Sequence, residues 1–107
     1  MRIWNVNPEI LCDKHLLGEH VETHMFVGTI NKGKSIRGYI NNNLVEVHNL
    51  KKRHDELEKE MLDRKMKPKS PLNFSSQGIT GFVDKEENLR ELYRRCKKCR
   101  SRIESIL

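Results

Sequence analysis

Between His15 and Glu22 an imidazole and two carboxylates recur at His15, Glu19 and Glu22. Steps of four and three residues place all three on one face of a helix. That trio suits proton transfer or a metal ion, and a solvated polar face has the same spacing. His20 and His24 form a further i, i+4 pair, which binds zinc when a third ligand joins and is otherwise a pair of surface histidines. Cys96-Lys97-Lys98-Cys99 is a C-x-x-C, the pattern of a redox pair or of half a zinc site. A closed zinc site wants four ligands, and the only other cysteine is Cys12. Two cysteines on one helix do not build a usual zinc-ribbon knuckle, so packed thiols are expected and no metal is assigned.

The opening residues Met1-Arg2-Ile3-Trp4 offer a different reagent. An apolar Ile3-Trp4 pair should tie the terminus to the body instead of letting it fray. A fixed α-amine is a useful nucleophile. As a class α-amines titrate near about 7.7–8.0, against about 10.4 for lysine, so roughly a tenth are unprotonated at pH 7.

Helices must position these groups. Asn7-Pro8-Glu9 reads as N-cap, first helical residue and an acid facing the dipole. Ile10, Leu11, Leu17, Val21 and Ile30 follow a period near 3.6, so a first helix is predicted from Pro8 to about Ile30, with those residues inward. Gly18 and Gly28 within it would mark close packing or a bend. Asn31 to Asn43 is a basic loop carrying Lys32, Lys34 and Arg37. A second helix is expected over Val45–Lys65 with Val47, Leu50, Leu57 and Met61 inward. Met66 to Phe82 holds prolines, glycines and serines and reads as an irregular connection. Asp84 with Glu87 resembles a capping box, opening a last helix over Lys85–Ile106 that buries Leu89, Leu92, Tyr93, Ile103 and Ile106. The expected fold is all-α: one domain, 1–107, of about three helices with long basic and Pro/Ser/Gly-rich loops.

The chain has 107 residues and a formal charge of +6. Residues 1–30 carry −2, residues 31–70 +5 and residues 71–107 +3. Positive charge gathered away from one end fits a nucleic-acid partner as well as a solubilising surface. No run approaches the roughly 18 apolar residues of a membrane span. Three cysteines, an odd number, argue against a disulfide framework and for a reducing cytoplasm.

Taken together, several segments resemble the pyrimidine-dimer DNA glycosylase family, the phage-type endonuclease V family. They are Arg2-Ile3, Asp13, His15-Leu16, Glu19 and Glu22, then Lys52-Arg53-His54-Asp55-Glu56-Leu57 and Lys69-Ser70-Pro71-Leu72. The ending, Asn88-Leu89-Arg90 with Cys96 and Cys99, is similar to short bacterial and viral members. The resemblance implies an all-α enzyme whose N-terminal amine attacks the anomeric carbon of a damaged nucleotide. An imine forms and β-elimination nicks the strand. By position the nucleophile is Met1, retained because the bulk of Arg2 blocks its removal, and the glutamate that stabilises the cationic sugar is Glu22. Arg2 is expected to hold the adjacent phosphate or that glutamate. Where the family has arginines flanking the glutamate, this chain has Val21 and Thr23. DNA contacts are therefore expected from His15, Glu19, His20, His24, Lys32, Lys34 and Arg37. The implied partner is lesion-containing double-stranded DNA, cyclobutane pyrimidine dimers first, met by a monomer without membrane, obligate protein partner, metal or organic cofactor. The chief alternative is a non-catalytic basic helical module that binds nucleic acid, which leaves Met1, Arg2 and Glu22 without a role; a third reading is a zinc-dependent helical domain built on Cys96, Cys99 and nearby histidines.

Overall fold

Residues 1–6 run as an arm between two apolar clusters, and the rest of the fold is arranged around that arm. Neighbouring side chains of an extended segment point to opposite sides. Ile3 accordingly enters one cluster, with Phe26, Val27, Ile36, Val45, Val47, Leu50 and Leu72. Trp4 and Val6 enter the other, with Ile10, Leu11, Leu16, Leu57, Met61, Leu92, Cys99 and Ile103. The arm is also held by polar bonds. The Ile3 amide donates to the Leu44 carbonyl at 2.8 Å, Asn88 Nδ2 donates to the Trp4 carbonyl at 2.8 Å, and Arg53 Nη1 donates to the Val6 carbonyl at 2.6 Å.

The structure, a computed structural model, describes residues 1–68, 71–76 and 78–106. Every regular element among them is helical, in five α-helices: α1 (Asp13–Asn31), α2 (Arg37–Asn41), α3 (Leu50–Asp63), α4 (Lys85–Arg95) and α5 (Lys97–Ile106). Short 3-10 turns precede α1 (Pro8–Ile10) and α3 (Val47–Asn49). α1 packs on α3, α4 on α5, and the Pro8–Ile10 turn against both α3 and α5. Among the described residues no helix is long and apolar enough to cross a membrane. Lys69 and Ser70, part of the Lys69-Ser70-Pro71-Leu72 resemblance, lie outside the described residues.

Five helices replace the expected three. Asn7 does cap Pro8–Ile10, its side chain accepting from the Glu9 amide, but that turn is separate, and α1 begins at Asp13 with Cys12 as its N-cap. Gly33, at φ 75°, closes α1 in the left-handed conformation that glycine tolerates. The basic loop contains α2. The expected last helix breaks at Cys96, whose extended backbone (φ −122°, ψ 107°) separates α4 from α5. At its start Asp84 caps the Glu87 amide as the sequence suggests.

The apolar periodicity misplaced several side chains. Leu17, Val21, Leu89, Tyr93 and Ile106 are exposed; on α1 the polar Glu19, His20 and Thr23 share the inner face with Leu16, Phe26 and Val27. Gly18 and Gly28 have open space where a Cβ would stand, so neither marks close packing. Gly81 does: a Cβ there would meet the Val45 carbonyl at 2.2 Å. Nearby, Glu46 gathers Asn5 (2.9 Å), Asn49 (2.8 Å) and the Val83 amide (3.0 Å), joining the arm to the start of α3 and to the far end of the long connection.

Candidate active site

A cleft of about 500 Å³ opens where the arm crosses α1, lined by Met1, Arg2, Trp4, Lys14, His15, Gly18, Glu22 and Arg95 among others. Met1 and Arg2 reach it because Ile3 and Trp4 are buried on either side of the arm. Gly18 leaves its floor without a side chain, so Lys14, Gly18 and Glu22, successive fourth residues, form one wall.

Glu22 is half-buried at this wall. Desolvation by burial raises its carboxyl above the ordinary value, although a hydrogen bond from the Arg2 backbone N–H and the nearby positive N-terminus act in the opposite direction. The N-terminal amino group and the Glu22 carboxylate therefore share the cleft, with a backbone donor fixing the carboxylate.

Arg2 sits otherwise than expected. Its main chain, not its guanidinium, hydrogen-bonds Glu22. The guanidinium donates to Asn88 Oδ1 through Nη2 and lies 4.0 Å above the Trp4 ring, while its buried Nε has no partner among the described residues. Burial, with Arg95 adding repulsion, lowers the Arg2 pKa. The side chain thus forms the cleft's rim and ties it to α4.

The residues expected to contact DNA divide into three groups. Glu19 is fully buried and paired with Arg53, through Nε to Oε2 and through Nη2 to Oε1 at 3.0 Å. That carboxylate is committed to a cation inside the fold and has nothing to offer a phosphate. His20 and His24 are likewise drawn inward, against His54, with ring centroids 4.7–5.1 Å apart. Burial first, then His54 and His24, lowers the His20 pKa; His20 is buried and His24 half-buried. His15 borders the cleft but turns Nδ1 toward the cysteines. Lys32, Lys34 and Arg37 are exposed, and Lys32 lies about 15 Å along α1 from Glu22 at 1.5 Å per residue. None of the three lines the cleft that holds Met1 and Glu22.

Sequence reasoning missed Lys14 and Arg95 at the cleft, and Asn88 behind it. Lys14 was legible, being four residues before Gly18 and eight before Glu22. Arg95 and Asn88 arrive from α4, more than sixty positions beyond Glu22 along the chain, and carry no local signal.

A family model described as pyrimidine dimer DNA glycosylase matches residues 1–74, which hold the arm, α1, α2 and α3. No curated protein and no solved structure matches the chain at a significant level. The matched segment carries Met1, Arg2 and Glu22 and spans well over half of the molecule. The chain belongs to the pyrimidine dimer DNA glycosylase family.

Proposed function

We propose that this protein removes damaged bases from double-stranded DNA, cyclobutane pyrimidine dimers first, through an imine formed by the α-amine of Met1, and then nicks the strand as an abasic-site lyase. The observation that carries this reading is the joint placement of the N-terminus and a desolvated Glu22 in one cleft.

The reaction divides into two halves. A nucleotide leaves the stack, since its C1′ is unreachable inside a duplex. The unprotonated amine of Met1 attacks C1′, the C1′–N bond to the base breaks, and the base leaves with the bonding pair and takes up a proton. Positive charge developing on the sugar faces the Glu22 carboxylate, the kind of preorganised electrostatic stabilisation worth about a hundredfold or more. Burial makes that carboxylate a better proton acceptor as well, so it takes a proton from the attacking amine. Glu22 gives that proton to O4′ as the C1′–O4′ bond breaks to the protonated imine; the regenerated carboxylate takes a C2′ proton, and the 3′ phosphate departs with the C3′–O bonding pair by β-elimination. The Arg2 amide holds Glu22 in place, and Lys14 and Arg95 face the phosphates beside the lesion. The chemistry uses one chain, one duplex and no organic cofactor.

Borohydride reduction of the imine tests the reading. The expected product is a covalent protein–DNA adduct on irradiated or abasic duplex, with the sugar on the peptide that begins at Met1. Acetylating the α-amine should abolish trapping while binding survives. Undiminished trapping by the blocked protein would move the nucleophile to a lysine. Duplex binding without any trapping or nicking would favour the non-catalytic module.

A further inference from the structure

Three sulfurs and one imidazole nitrogen converge where the start of α1 meets the break between α4 and α5. His15 Nδ1 lies 3.1 Å from Cys12 Sγ, 3.5 Å from Cys96 Sγ and 3.5 Å from Cys99 Sγ. Cys12 Sγ and Cys96 Sγ are 3.9 Å apart, and all four ligand atoms lie within 4.8 Å of one another. A disulfide needs about 2.05 Å, and all three cysteines are free. Hydrogen bonding does not account for the arrangement either. A ring nitrogen has one proton or one lone pair, yet three sulfurs surround this one.

A cation at the centre satisfies all four. With Zn–S near 2.3 Å and Zn–N near 2.0–2.1 Å, a tetrahedron has S···S edges of about 3.8 Å and S···N edges of about 3.6 Å. The observed separations fall around those lengths. Two main-chain amides turn toward the sulfurs, the Cys12 amide donating to Cys99 Sγ at 3.3 Å and the Cys99 amide to Cys96 Sγ at 3.4 Å. Cys12 caps α1 and Cys96 immediately precedes α5, so the positive ends of two helices meet there. We propose that Cys12, His15, Cys96 and Cys99 bind one Zn²⁺ as a closed structural site. Three thiolates with an imidazole form a soft donor set that selects this metal over magnesium or calcium.

The sequence expectation of packed thiols placed Cys96 and Cys99 on one helix, with Cys12 as the only other cysteine and nearby histidines as the remaining candidates. The helix break at Cys96 removes the first objection, and the fold brings Cys12 and His15 as the missing pair. Cys12-x-x-His15 lies within the family-matched residues and Cys96-x-x-Cys99 beyond them. The ion therefore staples the C-terminal helix pair to the segment that carries the cleft. It also fixes the His15 ring, which meets the Trp4 ring edge-on at 5.8 Å beneath Arg2. Four protein ligands leave no open position, so the metal takes no part in the imine chemistry.

Elemental analysis of the purified full chain, freed of any histidine tag, tests this. The expected result is one zinc per chain that survives gel filtration. Cobalt added to the stripped protein should give thiolate-to-metal charge-transfer bands and the visible absorption of a tetrahedral site. Chelation should lower Tm by about 10 °C or more, and zinc should restore it. Cys96→Ser and Cys99→Ser should each cost most of the bound zinc; if they fail to fold, the cobalt spectrum of the wild-type chain decides. Absence of zinc from protein made in zinc-supplemented medium, together with no thiolate–cobalt bands, would overturn the proposal. So would zinc that stays in the cysteine variants but leaves with His20→Ala, which would assign it to the His20, His24, His54 trio.

Discussion

Glu19 and Glu22 stand three residues apart on one helix, and the fold gives them opposite environments. Glu19 is enclosed, with both oxygens taken by Arg53, so its charge is cancelled within the protein. Glu22 is half-buried at the edge of a cleft, with a main-chain donor, the N-terminal charge nearby, and a carboxyl raised above its ordinary value chiefly by desolvation. A fully paired carboxylate holds helices together. One left partly desolvated and open on one side retains charge that a reacting sugar can use. The functional difference lies in what each is paired with, since depth alone would favour Glu19.

The largest test of that contrast is Glu19→Gln. It leaves Arg53 as a buried charge without its counter-ion, a change that costs about 3–5 kcal/mol. Denaturant unfolding should show the loss, and a change below about 1 kcal/mol would mean that water reaches Arg53. Glu22→Gln should reverse the pattern. Base release should fall by about a hundredfold or more, roughly 2.7 kcal/mol in the barrier, while the protein stays folded. The pKa direction gives the sign for stability. A carboxyl raised in the folded state contributes stability at low pH that is lost as pH rises through its folded value. At neutral pH the ionised Glu22 is therefore a cost to folding, so the neutral glutamine should leave Tm unchanged or slightly higher. A Glu22→Gln protein that is both unstable and inactive would erase the distinction.

The same desolvation predicts the acidic limb of the pH–rate profile. Protonation of the attacking amine already slows base release by about tenfold per pH unit on the acid side, and if ionised Glu22 is also required the slope should steepen to about a hundredfold per unit below the Glu22 pKa, with the break above the ordinary 4.5. The residual rate of Glu22→Gln should keep the first slope and lack the break. A break at or below 4.5, or one that persists in the variant, would assign it to another group.

The all-helical class, the anchored arm and the Asp84 cap were legible because each rests on neighbours in sequence. Ile3 and Trp4 announce burial, and Asp84 precedes its amide partner by three residues. The Glu19–Arg53 pair was not legible: its members are 34 positions apart and each looks like a surface charge. Nor was the inward turn of His20, which needs His54 from α3. The break at Cys96 lies in Arg95-Cys96-Lys97, where no glycine or proline interrupts a run of good helix formers. Contact of Cys96 with Cys12 and His15 overrides that preference. Exposed Leu17 and Val21 misled in the opposite sense, because apolar residues were assigned to a face that the buried polar groups occupy.

The smallest predicted effect concerns the cations beside each carboxylate. Lys14 and Arg95 line Glu22's cleft and are exposed, so phosphates that approach the N-terminus should displace counter-ions and meet them. Arg53 is buried on Glu19 and should be invisible to DNA. Each phosphate contact adds about 0.9 to the magnitude of the log-affinity versus log-salt slope. Lys14→Ala or Arg95→Ala should therefore flatten the slope by about that amount, as should neutralising Lys32, Lys34 or Arg37 if the loop reaches flanking phosphates. Between 50 and 200 mM salt one lost contact amounts to about a threefold difference in relative affinity, measurable by fluorescence anisotropy on undamaged duplex. The paired variant Glu19→Leu with Arg53→Met removes both buried charges, which avoids leaving either one alone, and its slope should match the wild type. A flattened slope in the paired variant would mean that Arg53 reaches DNA, and that the charges on the two sides of α1 are less separate than their burial implies. An unchanged slope in both Lys14→Ala and Arg95→Ala would turn the cleft away from the phosphates and leave the basic loop as the surface that grips the duplex.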